Sequence, residues 1–253
     1  LSLPLLGSIF RFRSVKDPRD HLILAKHSRS PSAEAYRILR TNVEFAALGS
    51  RNPGKLLLVT SAVPQEGKTT TLANLGIAMA QAGKRVILAD TDLRRPSLHR
   101  FFNLPNDVGL TSLLLEKELA VDRVLLDTEV EGLKVLTSGP LPPNPAELLD
   151  SPQMGGLLHQ LEEQADTVLC DSPPCLMMAD AGILSSRVSG TILIIGAGET
   201  RSEICQRGKD ALERLGANVL GVVLNKLSAK SSSGYYYYYS EDGERRRHRR
   251  RTD

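Results

Sequence analysis

Between residues 55 and 227, short apolar runs alternate with longer amphipathic stretches. "KLLLVTS", "RVILAD", "LKVLTSG", "TVLCD", "TILIIGA" and "VLGVVLN" are each the length of a buried strand, and most are separated by a helical pattern. The first is followed by a helix from about Lys68 to Gln81. Strands apolar on both sides suit a parallel sheet covered on both faces, and strands alternating with helices predict a doubly wound α/β domain. Upstream, residues 1–31 read as irregular, with prolines at 4, 18 and 31. Ser32 is then expected to cap a helix through "AEAYRILRTNVEFAAL", with Ile38, Leu39, Val43 and Phe45 near helical spacing. From about Ser228, serine, glycine, tyrosine and charge replace the pattern, which predicts disorder. The expected organisation is an N-terminal extension over 1–55, a core over 56–227 and a flexible tail over 228–253.

Composition adds limits. The 253 residues suit one large domain, and a hydrophobic content of 41% is enough for a sizeable core. The start at Leu1 rather than methionine predicts a fragment of a longer protein. Cys170, Cys175 and Cys205 are too few and too unpatterned for a disulfide framework or zinc site, so each is expected to be a small buried residue in a reducing compartment. Residues 229–253 hold seven basic and four acidic residues, a balance of +3 that equals the whole chain's net charge. The body is therefore neutral, which argues against nucleic acid as a partner. The apolar start "LSLPLLGSIFRF" is broken by proline and glycine and is shorter than the roughly 20 residues that span a bilayer. No run in the sequence is long enough to do so, which predicts a soluble chain.

The first chemical signal stands after the first core strand, in "SAVPQEGKTTTLANLGIAMA". A phosphate-binding loop asks for glycine, four residues, then Gly-Lys-Ser/Thr between strand and helix. Gly67, Lys68 and Thr69 satisfy its second half, while Ala62 replaces the first glycine. Backbone N–H groups at a helix N-terminus can converge on phosphate oxygens, Lys68 adds a mobile positive charge, and the Thr69 hydroxyl can join a Mg²⁺ shell. Two further strand ends carry acids, where ligands bind in open α/β sheets. "VILADTDLRRP" offers Asp90 and Asp92, with Arg94 beside them, and "TVLCDSPP" offers Asp171 in a Walker-B position that holds Mg²⁺ directly or through water. Each carboxylate also has a plain structural reading as a helix N-cap or loop residue.

These motifs together resemble the bacterial tyrosine kinases of capsule and exopolysaccharide systems. "SAVPQEGKTT" is similar to their Walker A motif, "LADTDLRRP" to their additional Walker A′ motif and "VLCDSPP" to their Walker B motif. "SPSAEAYRILRTN" carries their Glu-x-x-Arg-x-x-Arg pattern as Glu34, Arg37 and Arg40, and the opening "LPLLGSIF" resembles the stretch beyond the second membrane helix of fused members. The tail supplies a tyrosine cluster, Tyr235, Tyr236, Tyr237, Tyr238 and Tyr239.

The resemblance implies an ATP- and Mg²⁺-dependent protein-tyrosine kinase on a P-loop α/β fold. It implies phosphorylation of the tail tyrosines between subunits, with Ser and Gly before them giving slack. It implies other protein substrates, a ring-shaped homo-oligomer formed through Glu34, Arg37 and Arg40, and a transmembrane activator, fused or separate. The domain would then lie at the inner face of the cell membrane and control polysaccharide synthesis and export. Lys68 and the loop residues Gln65, Glu66, Gly67, Thr69 and Thr70 would hold the phosphates. Thr69, Asp92 and Asp171 would serve Mg²⁺, and Asp90 would accept the phenol proton, although Asp90 and Asp92 can exchange roles. Asn225, after the last strand, would read the adenine or be a turn residue.

Two rivals share the motifs. A partition or septum-positioning ATPase usually has a lysine early in its phosphate loop, where this chain has Val63, and gives no reason for the tyrosines. A noncatalytic ATP-binding subunit of an export complex has no need of Lys68 and three acids. A eukaryotic-type kinase is excluded by the lack of GxGxxG, HRD and DFG motifs.

Overall fold

A computed structural model describes residues 1–11, 17–50, 54–116 and 118–228. The tyrosine cluster and arginine run lie outside the described residues. In chain order the elements are β1 (Leu5–Phe10), α1 (Ile23–Lys26), α2 (Pro31–Leu48), β2 (Leu56–Ser61), α3 (Lys68–Ala80), β3 (Val86–Asp90), α4 (Leu98–Phe101), α5 (Leu110–Leu115), β4 (Leu126–Asp127), β5 (Leu133–Leu136), α6 (Pro145–Asp150), α7 (Pro152–Gln164), β6 (Thr167–Asp171), α8 (Asp180–Ser185), β7 (Gly190–Gly196), α9 (Ser202–Arg214) and β8 (Val219–Leu227). Single 3-10 turns occur at Pro18–His21 and Val121–Arg123.

The strands form one 8-stranded sheet in the order β1-β8-β7-β2-β6-β3-β5-β4, parallel throughout except for the β4–β5 pair. Alternating residues of each strand feed opposite faces, because successive side chains point to opposite sides. Leu57, Val59 and Leu88 pack with α1 to α4, whereas Leu56, Leu58 and Ile87 pack with α5, α7 and α8. Helix α9 covers Leu193 and Ile195 of β7 and Val222 of β8. In α3 every residue from Thr71 to Ala80 is buried. Its approach to β3 needs Gly76, where an added Cβ would stand 2.5 Å from Leu88 Cδ2.

All six strands read from the core appear, within a few residues of their expected ends. The N-terminal segment departs from expectation. Residues 5–10 are not irregular but form β1, which lies parallel to β8 and buries Leu6 and Ile9. Pro4 stands just ahead of the strand, where it removes no ladder donor. Gly7 lets α2 pass close, since a Cβ there would sit 3.1 Å from Leu39 Cδ1. The α2 cap is also displaced: Ser30, not Ser32, accepts from Ala33 N at 3.2 Å, and Pro31 occupies the first turn. Proline suits that position because its missing N–H would have been unpaired there. The buried stripe of α2 is Ala33, Tyr36, Leu39 and Val43, while Ile38 and Phe45 are 40% and 71% exposed. No helix among the described residues is long and apolar enough to cross a membrane. The cysteines are free, Cys170 and Cys205 buried and Cys175 half-buried.

Candidate nucleotide-binding and phosphoryl-transfer site

Three neighbouring strands, β2, β6 and β3, bring the predicted residues to one edge of the sheet. The phosphate loop follows β2. Asp171 ends β6, where it is the register partner of Asp90 at the end of β3. Lys68 opens α3 after Gly67, which has a φ of 90°. Glycine is required there twice over: L side chains avoid this conformation, and a Cβ would lie 2.1 Å from Asn225 Nδ2. The first helical bond of α3 runs from Thr71 N to Gly67 O at 2.9 Å. The preceding amides of the first turn are left for a ligand. Gln65 is exposed, with a φ of 63°. Thr70 turns its carbonyl to Asn74 Nδ2 at 2.9 Å.

Ala62 replaces the first glycine without strain. It is fully buried and absent from the residues with positive φ. Its methyl faces Gly208 on α9, where an added Cβ would stand 3.0 Å away. The missing side chain at 208 makes room for the extra one at 62.

The acids are packed closely. Thr69 Oγ1 donates to Asp171 Oδ2 at 2.5 Å, leaving Asp171 Oδ1 buried and without a partner among the described residues. Burial raises the Asp171 pKa and the Asp92 charge adds to this, against the lowering effects of Lys68 and the Thr69 hydroxyl. Asp90 is fully buried; its Oδ2 accepts from Ser97 N and Leu98 N, both at 2.9 Å, and its Oδ1 has no partner among the described residues. Burial and the adjacent Asp171 raise its pKa far above the usual carboxylate value. Asp92, 9% exposed, accepts from Arg94 N at 3.3 Å and Arg95 N at 2.9 Å. Its carboxylate thereby holds the turn after β3. No cluster of three His, Cys, Asp or Glu side chains among the described residues forms a ready metal cage. The donor set nonetheless fits Mg²⁺, which keeps several waters and takes few protein oxygens beside nucleotide phosphates. The orphan Asp171 Oδ1 and the neighbouring Thr69 hydroxyl are such oxygens.

Asn225 is 6% exposed, and both ends of its amide are engaged: Nδ2 donates to Glu66 O and Oδ1 accepts from Lys226 N, each at 2.8 Å. The three residues of the α2 pattern lie away from this edge. Arg37 donates to Glu34 at 2.9 Å and to Ser28 O at 2.6 Å, and Arg40 reaches Ala78 O at 3.2 Å.

Several contributors escaped the motifs. Ser97 caps Asp90 with its amide and places Oγ 3.3 Å from Thr69 Oγ1. Ser97 stands at the N-cap position of α4, but its side chain makes no cap bond there, so a helix-start signal alone gives no hint of its contacts with Asp90 and Thr69. Asp180, fully buried, grips Arg94 with two bonds of 2.8 and 2.9 Å, tying the turn after β3 to the helix after β6. No local spacing announces that pair.

A glycine-lysine loop on a mostly parallel sheet, beside acids at the ends of the next two strands, β6 and β3, defines a P-loop nucleotide-binding domain. In agreement, the family profile "CobQ/CobB/MinD/ParA nucleotide binding domain" matches residues 57–241. More narrowly, the chain belongs to the bacterial tyrosine-protein kinase family. It is 44% identical over 213 residues to the tyrosine-protein kinase YwqD of Bacillus subtilis, covering 83% of this chain and 89% of that protein. It is 37% identical over 199 residues to the putative tyrosine-protein kinase CapB of Staphylococcus aureus, covering 79% and 86%. Other relatives are much longer: the chain spans 30% of the tyrosine-protein kinase ptk of Acinetobacter johnsonii. Among solved structures, the chimeric protein CapA2B2 matches with a TM-score of 0.82 at 38% identity, over 90% of this chain and 96% of that one. The kinase domain of Escherichia coli ETK matches at 0.81 and 28% identity, over 90% and 91%. The cell division ATPase MinD of Pyrococcus furiosus shares the fold at 0.59 and 24% identity, over 68% and 72%.

Proposed function

We propose that this chain is an ATP- and Mg²⁺-dependent protein-tyrosine kinase that phosphorylates Tyr235 to Tyr239 on a sister molecule. The observation that carries the reading is the convergence of Lys68, Thr69, Asp90 and Asp171 on three adjacent strand ends, in a chain of the tyrosine-kinase family. Phosphoryl transfer needs positioning and charge neutralisation more than covalent help, and this edge offers both. Lys68 and the amides of residues 65–70 hold the phosphates. Thr69, Asp92 and Asp171 hold Mg²⁺, which when bound neutralises charge on the β- and γ-phosphates. The phenol oxygen forms the new bond to the γ-phosphorus as the bond to the bridging oxygen breaks, leaving ADP. The phenol proton passes to Asp90, with Asp92 as the alternative acceptor. Asp90 Oδ1 is the oxygen left to accept it, Oδ2 being held by Ser97 and Leu98; because that oxygen is buried, its use requires the 91–97 turn to open. Asn225 contacts the adenine in this reading, through the second hydrogen of its amide.

Strand β8 passes beside the loop, where Asn225 bonds the Glu66 carbonyl, and Tyr235 follows ten positions later in the sequence. Each added phosphate brings nearly two negative charges at neutral pH, enough for several to reverse the tail's +3 balance. Glu34, Arg37 and Arg40 would form the contact between subunits of a ring, exchanging their present intrachain partners for a neighbour's. A transmembrane activator would hold the assembly at the inner membrane face, where it regulates capsular or exopolysaccharide synthesis and phosphorylates other proteins.

Incubation with labelled ATP followed by mass spectrometry tests the reaction. Phosphate is expected on Tyr235 to Tyr239, and Lys68→Met should remove it. Released phosphate without phosphotyrosine would instead mark an ATPase switch. Mixing Lys68→Met with an active chain truncated after Ser228 should label the Lys68→Met partner; no label there would end transfer between molecules.

A further inference from the structure

The carboxylate of Glu66 is an oddity. It lies inside the phosphate loop, two positions before Lys68, yet is only 2% exposed. A negative charge in an anion-binding loop opposes ligand binding unless it serves geometry. Here every acceptor is used. Oε2 accepts from Val63 N at 3.0 Å, within the loop. Oε1 accepts from Gly196 N at 2.8 Å, at the end of β7, and from Thr200 Oγ1 at 2.6 Å, in the turn before α9. The residue's own carbonyl takes the Asn225 amide at 2.8 Å. One residue thus ties the loop to itself, to β7, to the following turn and to β8, with partners 130 to 159 positions away.

We propose that Glu66 is a positioning residue that sets the curvature of the phosphate loop before nucleotide arrives, with Thr200 and Gly196 as its anchor. Its carboxylate touches no phosphate; it acts through the amides of the loop it bends, that of Glu66 among them. The inference rests on the nucleotide-binding reading and not on tyrosine as the acceptor. The charge and the clamp make opposite demands, which gives the test its direction. Glu66→Gln removes the charge with little change of shape but cannot accept from both Val63 N and the β7 pair, because one of its ends is a donor. If the carboxylate mattered only through repulsion, this variant would bind phosphates more tightly. If it clamps, binding weakens.

The experiment is calorimetric titration of Mg-ADP into the full chain and its Glu66→Gln, Thr200→Val and Thr200→Ser variants. Loss of one charge-assisted bond should weaken ADP roughly ten- to a hundredfold in Glu66→Gln and Thr200→Val, with Thr200→Ser restored to within about threefold. In ATP turnover, KM should rise while kcat changes little, the mark of lost ground-state binding. Glu66→Gln and Thr200→Val combined should be less than additive, as expected for partners in one contact. Equal or tighter ADP binding by both single variants would overturn the proposal. If Glu66→Gln fails to fold, the Thr200 pair decides alone. Should the unaltered chain bind no ADP, the nucleotide reading falls and this one with it.

Discussion

Replacing Arg94 by alanine tests whether the two acidic arms of the site are held as a unit. Arg94 and Asp180 form a fork of two bonds, 2.8 and 2.9 Å, between the turn after β3 and the first residue of α8. The Asp180 side chain is 0% exposed and that of Arg94 34%. Removing the arginine leaves a carboxylate in the interior with no counter-charge, for which the usual loss is about 3–5 kcal/mol. Water can enter along the path the guanidinium vacates, so about 2–4 kcal/mol is the expected loss here. For a domain of this size each kcal/mol lowers the melting temperature by roughly 2–4 °C, so a drop of several degrees should accompany a lower urea midpoint. The double change Arg94→Met with Asp180→Leu should recover much of the loss, because an apolar pair of similar volume needs no desolvated charge. Urea denaturation of the unaltered chain and the two variants is the assay. A loss below about 1 kcal/mol for Arg94→Ala, or a double variant worse than the single, would refute the view that this buried pair braces the site.

Gly67→Ala should lose Mg-ADP binding and cost at least about 1–2 kcal/mol in urea, from left-handed backbone strain and the clash with Asn225; unchanged affinity would contradict the described loop. Ala62→Gly, which restores the formal motif, should not tighten nucleotide and should destabilise by about 0.5–1 kcal/mol, read by the same titration and denaturation. Asp171 is raised from 3.8 to about 7 by burial, so the native chain binds a proton there that the unfolded chain has released. Stability without Mg²⁺ should therefore fall as pH rises from about 4 through about 7, and urea midpoints at several pH values with Asp171→Asn as control should show it. Glu34→Lys should reduce assembly size in light scattering if α2 mediates contact between subunits.

The strands of the core were legible because each is a short, mostly apolar run of buried-strand length, and most are set apart by helical patterns. Strand β1 was not, since Pro4 and Gly7 break its pattern and its burial depends on α2 and β8, far away in sequence. For α2, helical spacing found the element but misjudged its face, because Ile38 and Phe45 share an apolar character with Leu39 and Val43 but not their direction. At the site, Lys68, Thr69, Asp90, Asp92 and Asp171 were readable as motif letters at strand ends. What braces them was not. The pairings of Arg94 with Asp180 and of Glu66 with Thr200 span 86 and 134 positions, and only the folded chain brings them together.

The flanks of the sheet have a consequence for how copies of this chain can meet. On one side stands β1, ahead of which is Pro4 and whose register against β8 shifts twice; on the other stands β4, two residues long and ending in the charged Asp127. Among the described residues neither offers a long, regular row of free main-chain groups on which a second molecule could zip up. Were copies to associate through these flanks, side chains would have to carry the contact, and contacts of that kind are loosened by a change of charge such as a phosphate brings.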